Sequence, residues 1–425
     1  MSYADLITHS PKSVRTSQDR FSLSSSSSSS LQIVQNSPKG SLTPDKRLFK
    51  TNSSLNSLHK RNLSSTILFS SNRQQSRDSS SSSPHRRWQN NSPLRNSPNA
   101  NKRIYPTKPI VKLPIEHEIP TDFYISPIDW SKKDIIITIL TDSLIHTYQP
   151  KLDIVSVRPY EFESDPISIK INNFSDGSKA AIGFDNGSIQ IFDIATEKVE
   201  QYFEPFNSTV MVSNWSNQNL IISGNKEGDV SLLDPASNDI DVFDNFFNEE
   251  ICGIQINPIQ PNILAISSND SLVKLFDLRN MSECLLKYTE HKSAVKALAF
   301  SPNNENIIVS GGGTLDKSIR MWDTITGQTK YVIDTNSQVC NLFWNKEFNE
   351  IVSTHGFSQN QIALWRGSNL GLINEYCENY NRVLYMTHSF DNAKIATLIP
   401  SEGINIWKFF PSQKPSLANT ILEFK

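Results

Sequence analysis

The sequence predicts an all-β fold: a seven-bladed β-propeller preceded by a long disordered N-terminal arm. Three observations lead there. A strand-ending marker returns seven times, polar turns precede the marker strands, and the composition changes abruptly near residue 110. The expected boundaries are a basic Ser/Pro-rich arm over 1–110 and the propeller over 111–425.

The markers come first. Short strands ending in an aromatic or large apolar residue recur as LIHTY with Tyr148, IQIFD with Phe192, VSLLD with Leu233 and VKLFD with Phe276. IRMWD with Trp322, IALWR with Trp365 and INIWK with Trp407 complete the set. Their spacings are 44, 41, 43, 46, 43 and 42 residues, the period of a four-stranded blade, and seven such units close a ring. Polar turns such as FDNGS (184–188), NKEGD (225–229), SNDS (268–271) and LDKS (315–318) lead into the marker strands. Apolar strands such as ILAIS (263–267) and IIVS (307–310) precede the turns. The last blade needs an outer strand from elsewhere. Residues near Ile110–Pro114 are the expected source, with Ile421–Phe424 as the alternative.

The arm is a different kind of chain. Residues 24–30 and 79–83 are all Ser, a composition that cannot bury enough apolar surface to offset an ordering entropy of about 1–2 kcal/mol per residue. Of the chain's 41 Lys+Arg and 43 Asp+Glu, residues 1–110 hold 17 and 4, leaving 24 and 39 for the rest. A basic arm is thus joined to an acidic body. Ser/Thr-Pro pairs begin at Ser10, Ser37, Thr43, Ser83, Ser92 and Ser97. Thr43, Ser83 and Ser92 also carry Lys or Arg three positions on, which makes them candidate sites for proline-directed kinases. Each phosphate would add about −1.5 to −2 charge. No aromatic interleaving accompanies the basic residues, so a nucleic-acid partner is not expected.

Four scattered cysteines (Cys252, Cys284, Cys340, Cys377) form no CxxC pair and suggest reduced thiols. The start lacks the apolar core of a signal peptide, and the run Ile135–Leu140 is too short to span a bilayer. A soluble intracellular chain is expected, with no membrane partner. Catalytic and metal motifs are missing as well. GGGTLDK (311–317) lacks the spacing of a phosphate loop and leads into a marker strand, and His117, between Glu116 and Glu118, is not in an HExxH. Neither an enzyme nor a cofactor or metal site is expected.

His291, Ser310, Asp316 and Trp322 stand where WD40 repeats place a hydrogen-bonded tetrad, so His291 reads as structural. The other blades lack much of this tetrad and are expected to rely on apolar packing.

Several stretches are more specific. TDFYISPIDWS (121–131), GGGTLDKSIRMWDTITG (311–327), DTNSQVCNLFWNKEFNEIVSTHGFSQNQIALW (334–365) and NRVLYM (381–386) closely resemble the Fizzy/Fizzy-related WD40 family. Members of that family are coactivators that bring substrates to the anaphase-promoting complex, a ubiquitin ligase. The likeness spans about residues 102–408 and suggests a divergent fungal-like or meiotic-type member. It implies a destruction-box site at Asp122 and Glu402, acids suited to a degron arginine. It implies a KEN-box site at Asp129, Asn269, Thr314, Gln338 and Arg382, with Ser271 where the family commonly has a second Asn. The partners implied are ligase subunits and degron-bearing cell-cycle proteins, met as a monomer in the nucleus and cytoplasm.

Two features depart from the family. Its ligase-docking motif DR[FY]IPxR is reduced here to Asp19-Arg20-Phe21 followed by Ser22-Leu23-Ser24, and the chain ends Leu422-Glu423-Phe424-Lys425 rather than Ile-Arg. A pseudo-coactivator that does not activate the ligase, or a plain WD40 interaction scaffold, is the alternative expectation.

Overall fold

The computed structural model describes residues 103–412, apart from 161, 378 and 380. These residues form seven antiparallel four-stranded sheets arranged as a propeller. Six blades are consecutive meanders, spanning 128–159, 166–203, 210–243, 251–288, 295–334 and 339–376. The seventh takes three strands from 385–408 and its outer strand from Val111–Leu113, far earlier in the chain. That strand pairs Val111, Lys112 and Leu113 with Ile406, Asn405 and Ile404, and Ile110 N–H adds a 2.7 Å bond to Ile406 O. The stretch near Ile110–Pro114 therefore closes the ring.

The marker spacing has a packing cause. Each of the seven markers lies on the third strand of its blade, and each falls in a different one of the seven apolar clusters among the described residues. Six of these clusters each fill one junction between neighbouring blades, and the seventh fills the junction of the seventh and first blades and continues around Phe123 and Ile125. Tyr148 packs between the seventh and first, and Trp322 between the fourth and fifth. A large side chain is needed at one height per blade, because truncating such a buried group costs about 3–5 kcal/mol.

The polar turns also have a backbone cause. Five residues before the marker, the first six blades place Ser143, Gly187, Gly228, Ser271, Lys317 and Asn360, all at positive φ. At Gly187 (φ 91°) an added Cβ would run into the Phe206 carbonyl, so glycine is required there. The seventh blade turns instead on Ser401 and Gly403.

The tetrad forms as expected. His291 Nδ1 lies 2.7 Å from Asp316, His291 Nε2 lies 2.7 Å from Ser310 Oγ, and Trp322 Nε1 donates to Ser310 Oγ at 3.0 Å. Burial pushes the His291 pKa down despite the Asp316 carboxylate. Burial would by itself raise Asp316, but hydrogen bonds from His291, Ser318 and the Lys292 N–H hold its carboxyl well below the usual range. The pair is therefore a neutral imidazole donating to a carboxylate. Apolar packing alone does not account for the last two blades, which is a correction. In the sixth blade, Trp365 Nε1 donates to Ser353 Oγ at 2.7 Å, and His355 of the same strand also meets that hydroxyl at 2.7 Å. In the seventh, Trp407 Nε1 donates to Thr397 Oγ1 at 3.1 Å. A bonded indole holds the junction in all three.

Packing against the ring begins ahead of residue 111. The Arg103 guanidinium lies 4.6–5.0 Å from the Tyr105, Phe348 and Phe410 ring centroids and pairs with Glu350 at 2.6 Å.

Candidate functional site

In a four-stranded meander the inner strand starts on the same face as the loop joining the second and third strands. Hydrogen bonds fix that face here. Asn269 N–H donates to Glu250 O (3.0 Å), Gly313 N–H to Ala294 O (2.8 Å), Gly356 N–H to Gln338 O (2.9 Å) and Asn381 Nδ2 to Pro400 O (3.1 Å). Asn269, Ser271, Thr314, Gln338, Arg382 and Glu402 consequently share one end of the propeller. Asp122 joins them on the segment running from the closing strand to the first inner strand.

That segment, Pro120–Ile125, lies across the channel mouth as a strap. Tyr385 O–H donates to Asp122 O at 2.5 Å and approaches Pro120 O at 3.1 Å, and Arg382 Nη2 donates to Thr121 O at 3.0 Å. Tyr124 O–H reaches the fourth blade, donating to Asn269 Oδ1 at 3.1 Å. Phe123 and Ile125 are buried with Met211, Ala294, Cys340 and Leu384, contributed by four other blades. The Asp122 carboxylate is exposed and accepts the Tyr124 N–H at 2.9 Å.

The electrostatics favour a cationic visitor at this edge. Burial pushes the Glu250 carboxyl up, and Asp122 adds to the shift. Burial also drives Tyr124 up to about 12, with Glu250 contributing. One Glu402 carboxylate oxygen lies 3.4 Å from Asn405 Nδ2, while the other is buried without a hydrogen-bond partner. Gln338, 5% exposed, likewise keeps a buried, unpartnered Oε1. Buried acceptors are normally satisfied, so both are places where a donor belongs. Beside Gln338, the Arg382 guanidinium lies 4.6 Å from the Phe357 ring centroid.

Asp129 is held differently from this group. It is 3% exposed within the inner strand Ile128–Trp130. Its carboxylate accepts the Ile171 N–H (2.9 Å) and the Thr387 O–H (2.9 Å) and pairs with Lys170 at 3.2 Å. It ties the seventh, first and second blades together and has no contact with Gln338 or Arg382. Thr314 is exposed on its loop, and Ser271 sits at φ 67°. Asp19, Arg20, Phe21, Thr43, Ser83 and Ser92 lie outside the described residues. Tyr124, Tyr385 and Lys296, all bound to the strap or part of it, were not singled out from the sequence. Lys296 left a signal, a lone cation inside the apolar strand VKALAF. All four cysteines are unpaired, and no group of His, Cys, Asp and Glu able to hold a metal occurs among the described residues.

Comparison with known proteins decides the family. The sequence model of the CDC20/Fizzy WD40 domain matches residues 117–407. The chain belongs to the CDC20/Fizzy family. Among its relatives, Meiotic fizzy-related protein 1 of Schizosaccharomyces pombe is 32% identical over 326 residues, 76% of each chain. The APC/C activator protein CDH1 of Saccharomyces cerevisiae is 31% identical over 308 residues, 71% of this chain but only 52% of that relative's length. A chain in a crystal structure of the mitotic checkpoint complex superposes with a TM-score of 0.68 at 26% identity, covering 77% of this chain and 99% of that one.

Proposed function

We propose that this CDC20/Fizzy protein is a substrate-recognition coactivator of the anaphase-promoting complex in cell division, a binding platform rather than an enzyme. A relative that carries the activator name, CDH1 of Saccharomyces cerevisiae, supports the coarse role. The observation that carries the finer one is the pair of orphaned buried acceptors, Glu402 Oε1 and Gln338 Oε1, on the same face as exposed Asp122. A destruction-box arginine would place its guanidinium against Asp122 and Glu402, as a charge-assisted pair. A KEN tripeptide would set its Glu against Arg382 and its Asn against the Gln338 and Asn269 amides, with Ser271 and Thr314 at the rim. Work of this kind belongs in the nucleus and cytoplasm, where dividing-cell substrates and proline-directed kinases would meet the protein. Attachment of the arm to the ligase would raise modest degron affinity through effective concentration.

The test is peptide binding by isothermal titration. Asp122→Arg places a cation where the degron arginine would sit and should weaken a destruction-box peptide by tenfold or more while leaving the melting temperature unchanged. Equal affinity would refute the assignment. The shortened motif at 19–21 favours a second reading, a protein that binds substrates without activating the ligase. Arg20→Ala in a reconstituted ubiquitination assay separates the two, since activity lost with Arg20 excludes the second reading.

A further inference from the structure

Lys296 is 6% exposed on the inner strand Val295–Phe300 of the fifth blade, an unusual place for an ammonium. Its Nζ donates to Ile125 O at 2.7 Å across 171 residues of sequence. The same nitrogen lies 4.9 Å from the Tyr385 ring centroid and 5.5 Å from that of Phe123. It thus contacts the strap from below through one carbonyl and one ring, and it also touches the tyrosine whose hydroxyl holds the strap at Pro120 and Asp122. Its electrostatic neighbours are the buried thiols Cys252 and Cys340 and the carboxylate of Asp122.

We infer that Lys296 is a positioning residue for the peptide site, fixing the strap so that Asp122 is presented at the edge of the seventh blade. The inference rests on the peptide-binding reading above. The physical reason is that the segment has no ladder partners: it is held by the buried side chains of Phe123 and Ile125 and by a few single hydrogen bonds. Its ends are anchored by Tyr385 and Arg382 on one side and by Tyr124–Asn269 on the other. Lys296 adds a charge-assisted bond to the last strap residue, Ile125, and a cation–π contact with the Phe123 ring. Methionine at this position matches the length of the side chain but offers neither.

The experiment uses the full chain with Lys296→Met and Lys296→Arg. Hydrogen exchange is followed on the peptide spanning 116–126, and a destruction-box peptide is titrated into each protein. Lys296→Met should speed exchange of the strap amides about tenfold and weaken the peptide about tenfold, while Lys296→Arg retains most of both. Unchanged strap exchange in Lys296→Met overturns the inference, as does a loosened strap with wild-type peptide affinity. If Lys296→Met gives no cooperative melt, Tyr385→Phe carries the same test, because it removes the hydroxyl that binds Pro120 and Asp122 and keeps the ring. If the wild-type chain binds no degron peptide, the peptide-binding reading fails by itself. The exchange measurement then still decides whether Lys296 holds the strap.

Discussion

Replacing Lys296 by Met should change how the stability of the propeller depends on pH, in a direction the structure fixes. Burial drives the Lys296 ammonium from its ordinary 10.5 down to about 8, with Cys340, Cys252 and Asp122 opposing the shift. Below pH 8 both folded and unfolded chains carry the proton, and the full cost of burying it is present. Between pH 8 and 10.5 the folded chain has lost the proton while the unfolded chain keeps it, so stability rises with pH. Above 10.5 both are neutral and the cost is gone. A displacement of about 2.5 units at 1.36 kcal/mol each gives about 3 kcal/mol. The side chain is buried, so solvent screening reduces this figure little. Burial also raises the thiols of Cys252 and Cys340, which lowers stability at high pH in both proteins; because the Lys296 charge opposes that rise, the contribution cancels only in part in the difference. Urea denaturation of wild type and variant at pH 7.5, 8.5, 9.5 and 10.5 should show wild type gaining about 3 kcal/mol on the variant. Parallel curves would mean that the amine is hydrated or neutral throughout, and the argument from burial would fall.

Other outcomes follow from single contacts. Ser310→Ala strands His291 Nε2 and Trp322 Nε1 in a buried junction and should cost about 2–5 kcal/mol in urea denaturation. Ser271→Asn puts a residue that tolerates the left-handed region at φ 67° and should raise stability by a few tenths to about 1 kcal/mol. The same change supplies a second amide beside Asn269, so tighter KEN-peptide binding is expected from titration.

The ring was legible because its cause is periodic. Every junction needs one large side chain at one height, six of the seven blades place a left-handed residue five positions earlier, and both recur at the blade period. Tyr148 and Trp407 could be placed in neighbouring blades on that basis. The strap was not legible, since Tyr124–Asn269, Lys296–Ile125 and Arg382–Thr121 join residues 145, 171 and 261 apart with no repeat behind them. The pairing of Asp129 with Lys170 was not drawn from the sequence, because a family likeness locates a residue along the chain but does not say what its carboxylate binds. A clue was present. Lys170 follows Asp129 by 41 residues, one blade on, so the two occupy equivalent places on adjacent inner strands and can neutralise each other. His355 was missed because it serves the sixth-blade tryptophan from an adjacent strand position rather than from the loop that supplies His291.

The short strand Val111–Leu113 ties the timing of function to synthesis of the last blade. It has nothing to pair with until Ile404–Ile406 has been made, and the residues that follow it are those that bear Asp122. A nascent chain still lacking its seventh blade can hold the segment bearing Asp122 only through Tyr124–Asn269 and Lys296–Ile125, without Tyr385, Arg382 or Glu402. A partly made or C-terminally clipped protein therefore lacks the assembled edge at which Asp122 and Glu402 share one face.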